Sequence, residues 1–222
     1  MKFLYHYNSK LIKLAISIFL LVFIVPYYHS QTDSLNKILV KWTPTALIGY
    51  SSLQFAGELY YTGKRSVQLE YGIILPHSFY NSNEKGHKIR LEHRNYFNKQ
   101  ETWYLAPELN FVFVQYDTEK RFSENPETES YINSELKTVG MQKIISTANF
   151  KIGYQYIFKK PKIALDFYVG LGVRYVNTTF TSYPTVGEYV PPIDNWLAAP
   201  FEEGNRVIPN GIVGVKIGYK IK

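Results

Sequence analysis

The sequence predicts an all-β fold: an eight-stranded, antiparallel, up-and-down transmembrane β-barrel preceded by a cleaved signal peptide. Three observations predict it. The last strand sorts by parity, with Val213, Val215, Ile217, Tyr219 and Ile221 on one side and Gly214, Lys216, Gly218, Lys220 and Lys222 on the other. Successive side chains of a strand point to opposite faces, so one face is apolar and the other is glycine and lysine. The connections between apolar-alternating segments are alternately short and long. The chain opens on an export leader.

The leader comes first in the chain. Lys10 and Lys13 precede an uninterrupted apolar run, Leu14 to Val25, which Pro26 ends. That length suits a signal-peptide core and is short for a membrane-spanning helix. Cleavage within Tyr28–Gln31 would divide the chain into a signal peptide, 1–30, and a barrel, 31–222. The alternative is an uncleaved single-span anchor.

Period-2 alternation then recurs to the C-terminus, with no competing helical pattern. The segments run Ile38–Ile48, interrupted by Pro44, then Leu53–Tyr61, Ser66–Leu75, His87–Phe97, Trp103–Tyr116, Lys143–Phe158, Ile163–Thr178 and Val207–Lys222. Thr62–Arg65, Asn98–Thr102 and Lys159–Lys162 read as tight turns. Gly49–Ser52, unusually short, begins the opposite set, followed by the long loops Pro76–Gly86, Asp117–Gln142 and Thr179–Arg206. Short turns at one end and long loops at the other are what an even-stranded membrane barrel requires. Pro44 and Pro107 each remove a ladder donor and predict bulges or rim positions.

Alternation alone does not say which face is the lumen, since a soluble lipocalin-like barrel also alternates. The polar parity carries Gly72, Gly153, Gly170, Gly172, Gly214 and Gly218, and small residues suit a narrow, filled interior. The apolar parity carries Tyr61, Phe97, Trp103, Tyr156, Phe158 and Tyr219 beside the short turns, as an interfacial girdle would. The expected strands are long enough to cross hydrocarbon when tilted. These features place the apolar face outward.

The interior then holds Lys41, Lys88, Arg90, Arg94, Lys143, Lys151, Arg174 and Lys216 against Glu58, Glu70, Glu92, Glu108 and Asp166. Unpaired charge in such a space is costly, so these groups are expected to pair into a salt-bridged plug. The sharper alternative is a proton or anion path.

Composition excludes several functions. The chain has no Cys, which removes disulfides, thiolate metal sites, a cysteine nucleophile and a lipidated N-terminal cysteine. Of 25 basic residues, Lys2, Lys10 and Lys13 lie in the leader, leaving 22 against 18 acids. That balance, with no basic arm or RNA-binding signature, gives no case for nucleic acid. No catalytic residues, cofactor or metal ligands are assigned. His77 and Ser78 are adjacent and would point to opposite faces; His93, beside Asn95, falls on the outward parity as a surface or girdle histidine. The loop Asp117–Lys137 is acidic, without regular cation-ligand spacing, and reads as solvated. The last loop offers Tyr183, Tyr189, Trp196 and Phe201 as a candidate binding surface.

The leader, an early Lys-Trp-Thr-Pro strand (Lys41–Pro44) leading to Gly-Tyr-Ser-Ser-Leu (Gly49–Leu53), Leu-Glu-Tyr-Gly (Leu69–Gly72) and the closing Gly214–Lys222 strand together resemble small outer-membrane β-barrel proteins of the Bacteroidota type. The resemblance implies a cell outer-membrane location and no reaction. The expected function is a barrel with a plugged interior that acts structurally or binds through its outer loops. Its expected partners are outer-membrane lipids, the barrel insertion machinery, and another membrane protein or a carbohydrate at the loops. The alternatives are an outer-membrane enzyme that acylates or deacylates lipid A, and a soluble periplasmic lipocalin-like carrier.

Overall fold

The computed structural model describes residues 37–47, 52–76, 83–97, 102–123, 135–158, 160–182, 187–189 and 203–221. The leader expected at 1–30 lies outside them. The described chain is almost entirely antiparallel strand: β1 (Ile38–Trp42), β2 (Ser52–Thr62), β3 (Arg65–Ile74), β4 (Lys85–Tyr96), β5 (Trp103–Ser123), β6 (Glu135–Ile157), β7 (Ile163–Phe180), the two-residue β8 (Glu188–Tyr189) and β9 (Gly204–Lys220). Each ring strand pairs with its sequence neighbours, β4 pairs with β5, and β9 returns to β1, so eight strands close a ring. β8 stands outside the ring and adds to the far end of β5.

The strands sort by face as alternation requires. Lys41, Glu58, Glu92, Arg94, Lys151, Asp166 and Lys216 point inward and are buried. Phe55, Leu69, Phe111, Phe150, Phe167, Leu171 and Val213 point outward, the last two at 75% and 80% exposed. The barrel is therefore inverted relative to a soluble carrier, whose apolar face would line the interior.

The glycines sit where the interior is tightest. A Cβ on Gly153 would lie 2.2 Å from the Tyr104 ring, and one on Gly214 would lie 2.3 Å from the Tyr168 hydroxyl. Gly214→Val should lower the urea unfolding midpoint, because overpacking costs about 1–3 kcal/mol. Gly57→Ala, on the outward face with nothing within 4 Å of its Cβ, should leave the midpoint unchanged.

Several segments differ from the sequence expectation. β1 ends at Trp42, and Pro44–Leu47 forms a 3₁₀ turn instead of continuing the strand. Proline cannot donate to a ladder but suits the start of a helical turn. Thr45 takes over one rung: its Oγ1 accepts the Val215 N–H at 3.2 Å and lies 3.3 Å from Val215 O. Odd residues of β9 face β1 and even ones face β7, as the bonds Ile221 N–H to Ile38 O and Lys220 N–H to Lys162 O show. Pro209 is odd, so its missing donor faces an edge with no strand partner among the described residues.

Pro107 makes no bulge. Pairing with β6 runs straight through it, and pairing with β4 resumes in the same register after skipping His93 and Arg94. The one register shift between β2 and β3 lies instead at Tyr60–Thr62.

The largest departure is the hairpin of β5 and β6. Asp117–Ser123 and Glu135–Gln142 are strand, paired as far as Phe122 with Glu135, where a solvated loop was expected. The barrel is consequently lopsided. β5, β6, β7 and β9 rise far above β2, β3 and β4 at the loop end.

Candidate functional site

Three layers fill the space inside the ring. Nearest the tight turns, Leu39, Tyr60, Tyr96, Tyr104, Ala106, Ala164 and Tyr168 form a cluster of rings and small residues. Their hydroxyls point up the barrel axis into a charged layer. Tyr104 donates to Asp166 at 2.7 Å, Tyr96 donates to Glu58 at 2.8 Å, and Tyr60 donates to Tyr96 at 2.8 Å.

The charged layer contains five cations (Lys41, Arg90, Arg94, Lys151, Lys216) and five acids (Glu58, Glu70, Glu92, Glu108, Asp166), linked without a break. Lys41 bridges Glu58 at 2.6 Å and Asp166 at 2.9 Å. Arg94 reaches Asp166 at 2.8 Å and Glu92 at 2.6 Å. Lys151 joins Glu92 to Glu108, 2.5 Å from the latter. Arg90 joins Glu108 at 3.2 Å to Glu70 at 2.7 Å, and Lys216 closes the chain on Glu70 at 2.9 Å. Glu92 lies among three cations: Arg94, Lys151 and, at 3.6 Å, Lys216.

Strand geometry explains the assembly. Glu70 is paired with Arg90 across β3–β4 and Asp166 with Lys216 across β7–β9, so opposite charges meet on one face. Arg94 also lies over the Tyr104 ring at 4.2 Å, and Lys151 over Tyr168 at 4.5 Å.

Arg174 is half-buried and stands apart from these ion pairs. It donates to Asn210, which donates to Asn149 at 2.7 Å, which donates to Glu108 at 2.8 Å. Sequence reasoning did not single out Gln155, whose Oε1 accepts from both Lys41 and Arg94 while its amide donates to Tyr60 at 2.6 Å. Its inward parity on β6 was the available signal. The missing cue was that one neutral amide would sit between two cations.

Above this layer the interior turns apolar again. Ile74, Val114, Tyr116, Phe122, Val139 and Met141 form a second cluster within the tall wall. Phe122, Phe180 and Tyr189 close it, with ring centroids 5.5–6.3 Å apart. Tyr189 reaches them because β8 pairs with β5 at Phe122 and Ser123. Of the four aromatics expected to form a loop surface, Tyr189 is thus packed into this cluster. Tyr183, Trp196 and Phe201 lie outside the described residues. Beside the cluster, an open cleft of about 470 Å³ is lined by Asn83, Lys85, Gln115, Tyr116, Asp117 and Thr181, among others.

The histidines bear on the enzymatic alternative. His93 is not a surface residue: it is 2% exposed beneath Tyr61, whose hydroxyl is 2.5 Å from Nε2, with Asn95 at 3.3 Å from Nδ1. His87 Nδ1 is 2.7 Å from the Tyr71 hydroxyl. Both described histidines are therefore hydrogen-bonded to tyrosines on the outward face. His77 and Ser78 lie outside the described residues. Among the described residues, no group of three or more His, Cys, Asp or Glu side chains is placed to hold a metal ion.

Comparison with known proteins finds no matching family model, curated relative or solved structure. The functional reading therefore rests on the geometry of this chain.

Proposed function

We propose that the chain is an integral outer-membrane β-barrel, exported by its leader, with a closed, salt-bridged interior and a structural or binding role at its loop end. The observation that carries this reading is the inverted burial: a salt-bridged ionic network inside and an apolar belt outside. An outward apolar belt is costly in water and favourable in hydrocarbon.

The belt has limits at both ends. Toward the tight turns it finishes in Tyr61, Phe97, Trp103, Tyr156, Phe158 and Tyr219, all outward and exposed. Toward the loops it finishes in a polar line that follows the register: Lys85 beside Gln115, Gln115 beside Gln142, Gln142 beside Thr179, and Asn177 beside Asn205. From Trp103 to Phe113 the strand climbs roughly 33 Å, or roughly 25 Å at a tilt of about 40°, the height of a barrel's hydrocarbon band. Closure of the ring where β1 pairs with β9, from Leu39 to Trp42, supports the same reading, because an open edge has no water to bond in a bilayer. Among the described residues β9 has no strand partner on its β1 side from Gly214 upward, a stretch that spans the upper part of the belt, and Pro209 removes one of its donors.

The ionic layer supports a plugged interior. Its side chains are at most 8% exposed and are ion-paired with one another, which favours a filled interior over a hydrated path. Recognition is assigned instead to the tall wall and its cleft, which stand above the belt.

Fractionation of cells producing the full chain tests location. The protein should sediment with the outer membrane, begin near residue 31, and migrate faster on gels before boiling than after. Recovery as a water-soluble protein from the periplasm would refute the proposal. Lipid A mass spectra with and without the protein should be identical; an altered acyl pattern would favour the enzyme.

A further inference from the structure

Among the described residues, the turn end of the barrel carries one sign of charge. Going around the ring, the described residues there include Lys37 before β1, Lys64 and Arg65 at the β2–β3 turn, Lys160 and Lys162 at the β6–β7 turn, and Lys220 at the end of β9. Backbone bonds hold several of these positions: Lys64 O accepts from Tyr96 N–H at 2.8 Å, and Lys162 O accepts from Lys220 N–H at 2.9 Å. No Asp or Glu lies on this rim among the described residues; Glu58 and Asp166, the nearest, are inside and paired. The loop end is different, with Glu84, Asp117, Glu119, Glu135, Glu188 and Glu203 mixed among Lys85, Lys120, Arg121, Lys137 and Arg206.

The basic rim lies directly beyond the outward aromatics Tyr61, Phe97, Trp103, Tyr156, Phe158 and Tyr219. In a bilayer, aromatics of that kind mark the headgroup level, and long basic side chains beside them extend to the phosphates. We infer that the turn-end rim is a collar for the phosphate headgroups of anionic phospholipids in the leaflet that surrounds it. This rests on the membrane reading above and adds a lipid class and a polarity to it. The rim is spread around the ring instead of gathered in one pocket, so the collar concentrates anionic lipid at the boundary and does not hold one molecule in a fixed pose. Charge complementarity selects the partner: a zwitterionic headgroup offers no net charge to match this ring, and its preference should fall with salt.

The test uses the full chain reconstituted in vesicles of phosphatidylcholine with phosphatidylglycerol, doped with a spin-labelled form of either lipid. Spectra of the immobilised fraction give the relative association of the two headgroups with the protein boundary. Wild type should prefer phosphatidylglycerol several-fold, and the preference should decline as salt is raised. The variant K64Q/R65Q/K160Q/K162N should lose most of it, bringing the association ratio of the two lipids close to one. Asn is used at position 162 because Lys162 has φ of 47°, a region Asn tolerates. A control variant at the loop end, K120Q/R121Q, should keep the wild-type ratio. Equal association of both lipids with wild type, or a preference that survives the four-residue variant, overturns this inference alone, as does its loss in the control. Failure of the chain to enter either kind of vesicle overturns the membrane reading and this one together.

Discussion

Glu92→Gln should destabilise the folded barrel by about 3–5 kcal/mol, the cost of breaking a buried ion pair from one side. Glu92 is fully buried and lies among Arg94, Lys151 and Lys216. Its carboxylate is the counter-charge that Arg94 and Lys151 share, so removing it leaves excess positive charge among fully buried groups. Glutamine keeps the shape and one acceptor, so the loss combines the charge with one acceptor that had faced Arg94 or Lys151. The double variant Glu92→Gln/Lys151→Met removes one charge of each sign and should recover part of the loss. Members of a shared network couple, so the two effects will not add. Urea titrations of refolding into vesicles measure both. Equal midpoints for wild type and the single variant would show that the ionic layer is not what holds the interior.

Val169→Arg should cost about 2–4 kcal/mol in lipid, whereas Val207→Arg should cost roughly 0–1 kcal/mol. Both valines are exposed on the outward face, at 52% and 60%. Val169 is midway between Ile163 and Tyr175 on β7, at the centre of the apolar belt. Val207 pairs with Tyr175 at the belt's upper edge. In a water-soluble barrel the two substitutions would be equally harmless, since each merely places a charge on a solvated surface. The difference in folding free energy between the two therefore reports depth in a bilayer, and the same vesicle titrations supply it.

Much of the barrel was legible because alternation is a local property. From Ile163 to Tyr175 in β7 and from Val213 to Tyr219 in β9 every second residue is apolar, and the outward face can be read directly from the chain. The ionic layer was legible residue by residue for the same reason, since a charge on the inward parity of a narrow barrel has few solvents other than its opposites. Which charge meets which was not legible. That depends on strand register, which brings Lys41 to Asp166 and Arg94 to Asp166 across distant parts of the sequence.

The extensions of β5 and β6 were misread because they leave the belt. Asp117, Glu119 and Arg121 lie outward above it, so the segment looks hydrophilic. Its inward residues, Tyr116 and Phe122, still alternate and pack. For His93 it was the exposure alone that was misread. Its parity is outward, as expected, but Tyr61 from β2 lies across it and buries it. Contacts across an intervening strand leave no trace in the spacing of either partner. β1 was overextended because Pro44 was weighed as a defect in a strand instead of the beginning of a 3₁₀ turn.

The most direct test of the inverted barrel is a cysteine scan along β7. The chain has no native cysteine, so single substitutions from Ile163 to Tyr175 can each carry one environment-sensitive fluorophore. The expected result in vesicles is a strict two-residue period. Labels at Leu165, Phe167, Val169 and Leu171 should be quenched by brominated lipid chains, with labels at Ala164, Asp166, Tyr168 and Gly170 shielded or disruptive to folding. Quenching of the odd positions by a water-soluble agent, with no response to brominated lipid, would contradict the account.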